Sequence, residues 1–289
     1  MVKAGRCFVG AVVLIAASLL GCAAVLDVPA AGASTVATGY RLVGADGGVF
    51  CYGSAKFWGS LAGQHLSAPI VGMATTGDGD GYYLVGADGH VYPFGDAVAY
   101  GDMSGHQLAA PIVGMAVPAN SASYYLVGAD GGVFAFGPGA PYEGSMGGRR
   151  LAAPVVGMMA ITANAGGYDL VGADGGVFAF GGIATYFGSE GGQHLAAPVV
   201  GIAPAGANGN EYDLVAADGG VFAFATNSYY GSAASQRLDA PVVGMTSTSG
   251  GYWLGAADGG VFSYGNASFD GSAGGLHLAA PIVAIAPAY

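Results

Sequence analysis

Tyr124-Tyr125-Leu126-Val127-Gly128-Ala129-Asp130-Gly131-Gly132-Val133-Phe134-Ala135-Phe136-Gly137, followed by Gly144-Ser145 and by Leu151-Ala152-Ala153-Pro154-Val155-Val156-Gly157-Met158, is one of six copies of a single pattern. Its leading leucine recurs at Leu42, Leu84, Leu126, Leu170, Leu214 and Leu254, a period of 40–44 residues. Self-similarity at that period, carried by short apolar runs between glycines, predicts a propeller or a related array. The copies start near residues 39, 81, 123, 167, 211 and 251.

Within a copy, Pro-Val-Val-Gly-Met is a β-branched run suited to a buried first strand. Its glycine (Gly72, Gly114, Gly157, Gly201, Gly244) lets backbones approach closely, as they must near a propeller axis. Tyr-x-Leu-Val-Gly-Ala forms a second strand, apolar at nearly every position, as expected of a sheet covered on both faces. Asp-Gly follows at Asp46, Asp88, Asp130, Asp174, Asp218 and Asp258. Between two strands it predicts a hairpin of type I′, with positive φ at both central residues. Val-Phe-x-Phe/Tyr-Gly makes a third strand whose aromatics fill the space between blades. A short fourth strand is expected before the Gly-Ser pair, as in Phe57-Trp58-Gly59-Ser60 or Tyr229-Tyr230-Gly231-Ser232.

Four strands in each of six repeats predict an all-β, six-bladed β-propeller over residues 34–289. The first copy begins at Tyr40 on its second strand, and residues 281–286 read as a first strand without a second. Pairing the two completes a blade from both ends of the chain and hides two sheet edges.

Residues 1–33 read differently. Lys3 and Arg6 precede an apolar run over residues 8–26, the signature of a secretory signal. Three fates stay open: cleavage after Ala31-Gly32-Ala33, lipidation of Cys22 in the lipobox-like Leu19-Leu20-Gly21-Cys22, or retention as an anchor long enough to span a bilayer. Any membrane association is expected through this segment alone. Beyond it Cys51 is the one remaining cysteine, so stability must come from packing rather than disulfides. Cys51 fills the slot held elsewhere by Pro93, Ala135, Ala179, Ala223 and Ser263, and reads as a small filler. Seven basic and 18 acidic residues give a net charge of −11, which repels phosphate backbones and argues against nucleic acid.

The repeat resembles the exported propeller-like repeat of actinobacterial proteins, Gly-Tyr-Trp-Leu-Val-x-x-Asp-Gly-Gly-Val-Phe-x-Phe-Gly, which Gly251-Tyr252-Trp253-Leu254 follows most closely. The resemblance covers about residues 39–286. It implies the fold and a location in or beyond the cell envelope, and it assigns no catalytic residue to the repeats.

Positions that differ among the copies are the candidates for function. The residue after the repeated tyrosine is Arg41, Tyr83, Tyr125, Asp169, Asp213 or Trp253. These six are expected at equal heights around the ring, at a solvent-facing strand start. There they form either a sugar- or peptide-binding rim or a set of positions free to drift. A second varied series, His65, Gln107, Arg150, His194, Arg237 and His277, contains three histidines in noncontiguous repeats, too dispersed to share an ion. Gly77-Asp78-Gly79-Asp80-Gly81 lacks the remaining ligands of a calcium loop and reads as a turn. No Gly-x-Ser-x-Gly elbow, His-Glu-x-x-His or phosphate loop occurs. The expected function is a monomeric, non-enzymatic, exported propeller that needs no metal or cofactor. It presents a surface to an envelope protein or glycan. A carbohydrate- or wall-binding module and a propeller hydrolase or lyase with a channel-mouth site are the alternatives.

Overall fold

The computed structural model describes residues 36–289 except 119–121, 162–165, 183–184, 207–208 and 227. Residues 1–35, on which the expected leader, Cys22 and the candidate cleavage site Ala31-Gly32-Ala33 fall, lie outside the described residues. The strands are β1 (Gly39–Gly44), β2 (Val49–Gly53), β3 (Ile70–Thr75), β4 (Gly81–Gly86), β5 (Val91–Gly95) and β6 (Ile112–Ala116). They continue with β7 (Tyr124–Gly128), β8 (Val133–Phe136), β9 (Val155–Ala160), β10 (Tyr168–Gly172), β11 (Val177–Phe180) and β12 (Val199–Ala205). The last are β13 (Glu211–Ala216), β14 (Val221–Ala223), β15 (Val242–Thr248), β16 (Gly251–Ala256), β17 (Val261–Gly265) and β18 (Ile282–Ala288).

These strands form six three-stranded antiparallel sheets, five of them consecutive in sequence and the sixth ordered β18-β1-β2. The ends of the repeat array therefore meet: Gly39 faces Ala288, Leu42 faces Ile285, and a bulge falls between Val43 and Gly44. Each first strand lies against that of the next sheet, β3 on β6, β6 on β9, β9 on β12, β12 on β15, β15 on β18, and β18 on β3. The glycines in these strands act as expected. A side chain at Gly114 would stand 3.7 Å from the Gly157 Cα, and one at Gly201 would stand 3.4 Å from the Gly244 Cα.

The Asp-Gly hairpin takes another form than expected. Gly47 N–H donates to the Gly44 carbonyl and Gly44 N–H to the Gly48 carbonyl, both at 2.8 Å. That is a three-residue loop closed by a bulge, not a two-residue type I′ turn. Gly47 has φ +77°, and Gly48 is not among the glycines with positive φ. Asp46 Oδ1 caps the Gly48 N–H at 3.0 Å, and Asp88 does the same for His90, so only the residue directly after the aspartate must be glycine. The turn alanine joins neighbours. Ala45 N–H donates to Pro281 of its own sheet, and its carbonyl accepts from Ile70 N–H at the start of β3.

Among the described residues the expected fourth strand is absent. Residues 54–60 and their equivalents carry no strand among the described residues, because their backbone groups are engaged elsewhere. The Tyr82 hydroxyl donates to the Gly59 carbonyl at 2.5 Å and accepts from Trp58 N–H at 3.3 Å. Tyr124 holds Gly101 and Tyr100 in the same way, Tyr168 holds Gly144 and Glu143, and Tyr212 holds Gly188 and Phe187. Tyr252 holds Gly231 and Tyr230, and Tyr40 holds Gly271 and Asp270. The repeated tyrosine is thus a latch on the segment that follows the preceding sheet. Its glycine has φ near +130° and lies on the third-strand aromatic of the next sheet, so that a side chain at Gly59 would meet Phe94 at 2.7 Å.

Candidate binding surface

The residues expected to form a solvent-facing rim occupy equivalent positions, but they are buried. Tyr83 is 4% exposed, and Arg41, Tyr125, Asp169, Asp213 and Trp253 are 0–1% exposed. The correction has a geometric cause. In a middle strand both faces are covered, so the alternation that exposes every second residue of a one-sided sheet does not operate. One face of β1 carries Tyr40 to the preceding sheet; the other carries Arg41 to the following one.

Each of the four larger side chains, Arg41, Tyr83, Tyr125 and Trp253, reaches two places. Toward the next sheet it meets the latch tyrosine: Arg41 lies over the Tyr82 ring at 5.1 Å, and Tyr83 packs on Tyr124 at 4.9 Å. Tyr125 packs on Tyr168 at 4.8 Å, and Trp253 on Tyr40 at 5.2 Å. Toward its own repeat it grips the segment about 15 residues on. Arg41 Nε donates to the Lys56 carbonyl, Tyr83 exchanges hydrogen bonds with Val98, Tyr125 donates to Pro141, and Trp253 Nε1 donates to Ser268. Asp213 Oδ1 accepts from the Ser228 hydroxyl at 2.7 Å and from Phe224 N–H at 3.2 Å.

The two acids are the electrostatic exceptions. Burial raises the Asp213 carboxyl to about 6 despite its hydrogen bonds. Asp169 has no hydrogen-bond partner for either carboxylate oxygen among the described residues, and burial raises it to about 7. Arg41 is held below its ordinary value by burial, and it has carbonyls and the Thr75 hydroxyl rather than a carboxylate as partners. The Cys51 thiol is also raised by burial and faces the Lys56 carbonyl at 3.6 Å, which disfavours a nucleophilic thiolate.

The axis offers little reactive chemistry. A channel of about 120 Å³ is lined by the Val-Gly-Met triplets of β3, β6 and β9 and their equivalents in β12, β15 and β18, all with apolar side chains. The six first strands pair on one side only, so their free edges supply whatever polarity the channel has. His65, Gln107, Arg150, His194, Arg237 and His277 are exposed, and no three His, Cys, Asp or Glu among the described residues gather as a metal site. Asp80 of the glycine-rich turn pairs with Lys56 at 3.0 Å.

The surface carries a series that sequence reasoning assigned to a fourth strand. Two residues before the Gly-Ser glycine stand Phe57, Tyr142, Tyr186, Tyr229 and Phe269, each 58–61% exposed. The second copy has Ala99 there, beside the exposed Val98. The signal was present in the sequence as an aromatic kept at one offset from the glycine.

No protein-family model matches the chain, nor does any curated protein. Solved structures do resemble it. A chain of a nidogen/laminin complex superposes with a TM-score of 0.54 at 9% identity, over 87% of this chain and 98% of that one. A structural-genomics protein of unknown function from Bacteroides thetaiotaomicron aligns at 13% identity with a TM-score of 0.47, over 76% of this chain and 66% of its own. At such identity the first likeness concerns the fold alone, and the fold is all-β and β-propeller-like.

Proposed function

We propose that this chain is an exported, non-enzymatic propeller of six blades closed into a ring, which holds a rigid surface toward a protein or glycan of the cell envelope. Export rests on the basic, then apolar, residues 1–33, and the envelope on the resemblance of the repeat to exported actinobacterial ones. Closure rests on the β18–β1 pairing and on the latch from Tyr40 to Gly271. The observation that carries the binding reading is the division of labour within the repeat. The varied polar and aromatic residues after the latch tyrosine are spent inside, on neighbouring sheets, while an aromatic series is left outside. The similarity to a chain solved within a nidogen/laminin complex accords with a fold used for binding, which different members put to different ends.

Two measurements test this. Full-length protein incubated with purified envelope fractions should be retained and released by competing soluble fragments; a chain that binds neither the protein nor the polysaccharide fraction would refute the binding reading. Deleting residues 281–289 should remove β18, expose two unpaired strand edges and collapse solubility. An unchanged melting curve after that truncation would point to an open array.

A further inference from the structure

We infer that Phe57, Tyr142, Tyr186, Tyr229 and Phe269 are five equivalent stacking sites for the sugar rings of a neutral, repeating polysaccharide, which the chain engages multivalently. The inference rests on the binding reading above and names its ligand.

Single exposed aromatics are ordinary on protein surfaces and call for no explanation. Five at one repeat offset do, because they contribute little to a core at about 60% exposure. The adjacent position, one residue before the glycine, is only partly exposed in four of the six copies. It is aromatic in four copies (Trp58, Tyr100, Phe187 and Tyr230) and acidic in two (Glu143 and Asp270). The outer position thus keeps an aromatic in five of six copies although solvent, rather than packing, is its chief neighbour.

Two of the five rings are also held in place. The Tyr142 hydroxyl donates to Ser145 Oγ at 3.1 Å and that of Tyr186 to Ser189 Oγ at 3.0 Å, within segments pinned by the tyrosine latches. A ring fixed in orientation with one polar edge and a hydroxyl three residues away suits a ligand with an apolar face and hydroxyl rims. The charged groups beside the rings are acidic at Glu143 and Asp270, and the Lys56 ammonium is taken up by Asp80. Carboxylates accept from sugar hydroxyls and repel phosphate- or sulfate-bearing polymers.

The distribution favours a polymer over a protein. A protein interface wants a contiguous patch of roughly 800 Å² on each partner. Here each aromatic stands in a different repeat, on the segment beyond the outermost strand, so the sites are dispersed with the blades. Dispersed, equivalent, weak sites gain from a ligand that is itself a repeat, with avidity exceeding one site by about 10²–10⁴.

The test is affinity electrophoresis of the full-length protein through gels containing glycol chitin, hydroxyethylcellulose, mannan or dextran, with pull-down on purified peptidoglycan. At least one of these neutral polymers should retard the parent. The combined variant Phe57→Ala, Tyr142→Ala, Tyr186→Ala, Tyr229→Ala and Phe269→Ala should lose that retention at least about hundredfold with an unchanged melting temperature. Ala99→Tyr, which supplies the missing sixth ring, should increase retention several-fold. That second variant keeps the proposal testable even if the fivefold one is poorly folded. Retention unaffected by both changes would overturn it. So would a parent that none of the polymers retards but that cross-links to an envelope protein; in that case the broader binding reading survives and the glycan does not.

Discussion

Two six-membered series run through the same repeat and end at opposite extremes of exposure. Arg41, Tyr83, Tyr125, Asp169, Asp213 and Trp253 vary widely in chemistry and are buried. The other series, Phe57, Ala99, Tyr142, Tyr186, Tyr229 and Phe269, is aromatic in all copies but the second and stands in solvent. Variation among copies is commonly read as freedom from packing, and here it is the reverse. Each of the four large buried members is fitted to its own pair of neighbours: an arginine over a tyrosine ring, a tyrosine on a tyrosine, an indole whose N–H reaches Ser268. The interior tolerates several solutions to one junction because each copy meets a different local segment. The outer position has no junction to satisfy, so its uniformity needs another cause.

The largest expected effect comes from the two series within one copy. Trp253→Ala removes a ring packed on Tyr40 and leaves the Ser268 carbonyl without its donor. The loss should be about 3–5 kcal/mol, as for other large aromatics removed from cores. At roughly 2–4 °C per kcal/mol in a domain of this size, thermal denaturation should show a fall of about 10 °C. Phe269→Ala, sixteen residues on, should stay within about 0.5 kcal/mol of the parent. If the two variants melt alike, the contrast between the series is wrong.

Much of this was legible in the chain before any coordinates. The period, the strand order, the close glycines and the pairing of residues 281–286 with the first copy all follow from local pattern, and β18 does lie on β1. What was not legible depends on non-local partners. The fourth strand was expected from its apolar residues, but its backbone is taken by tyrosine hydroxyls about 24 residues later in sequence. The aspartate turn was given the right residue and the wrong loop length, because Asp46 Oδ1 stabilises the bulged form at Gly48. The rim was misplaced because period-2 alternation carries no information about exposure once a strand is covered on both faces.

A second effect, of intermediate size, separates the buried series by charge. Asp169 at about 7 and Asp213 at about 6 bind their protons more tightly in the folded chain than at the ordinary 3.8 of an unfolded one. The sign follows from linkage: stability from these groups is complete below about pH 4 and is lost as the pH rises through 6 and 7. The melting temperature should therefore rise between pH 8 and pH 5, against the usual trend for a chain of paired carboxylates. Asp169→Asn should flatten most of that slope, since Asp169 lacks the Ser228-type partner that Asp213 has. A slope that persists in the double variant with Asp213→Asn would assign it to other groups.

The smallest effect isolates a single hydroxyl on each side of the contrast. Tyr212 OH donates to the Gly188 carbonyl at 2.7 Å and accepts from Phe187 N–H at 3.0 Å and Gly188 N–H at 3.2 Å. Tyr212→Phe keeps the ring on Phe224 but takes the partner from those part-buried backbone groups. The cost should be about 1–3 kcal/mol, the penalty for a partly buried polar group that loses its partner. Tyr142→Phe makes the same chemical change in the outer series, where the lost partner is the exposed Ser145 hydroxyl. Water replaces it there, and chemical denaturation should register a change within about 0.5 kcal/mol. The pair holds residue type and substitution constant and varies only the place in the repeat. Equal losses would mean that the latch is ornamental and that ring packing alone holds neighbouring sheets together.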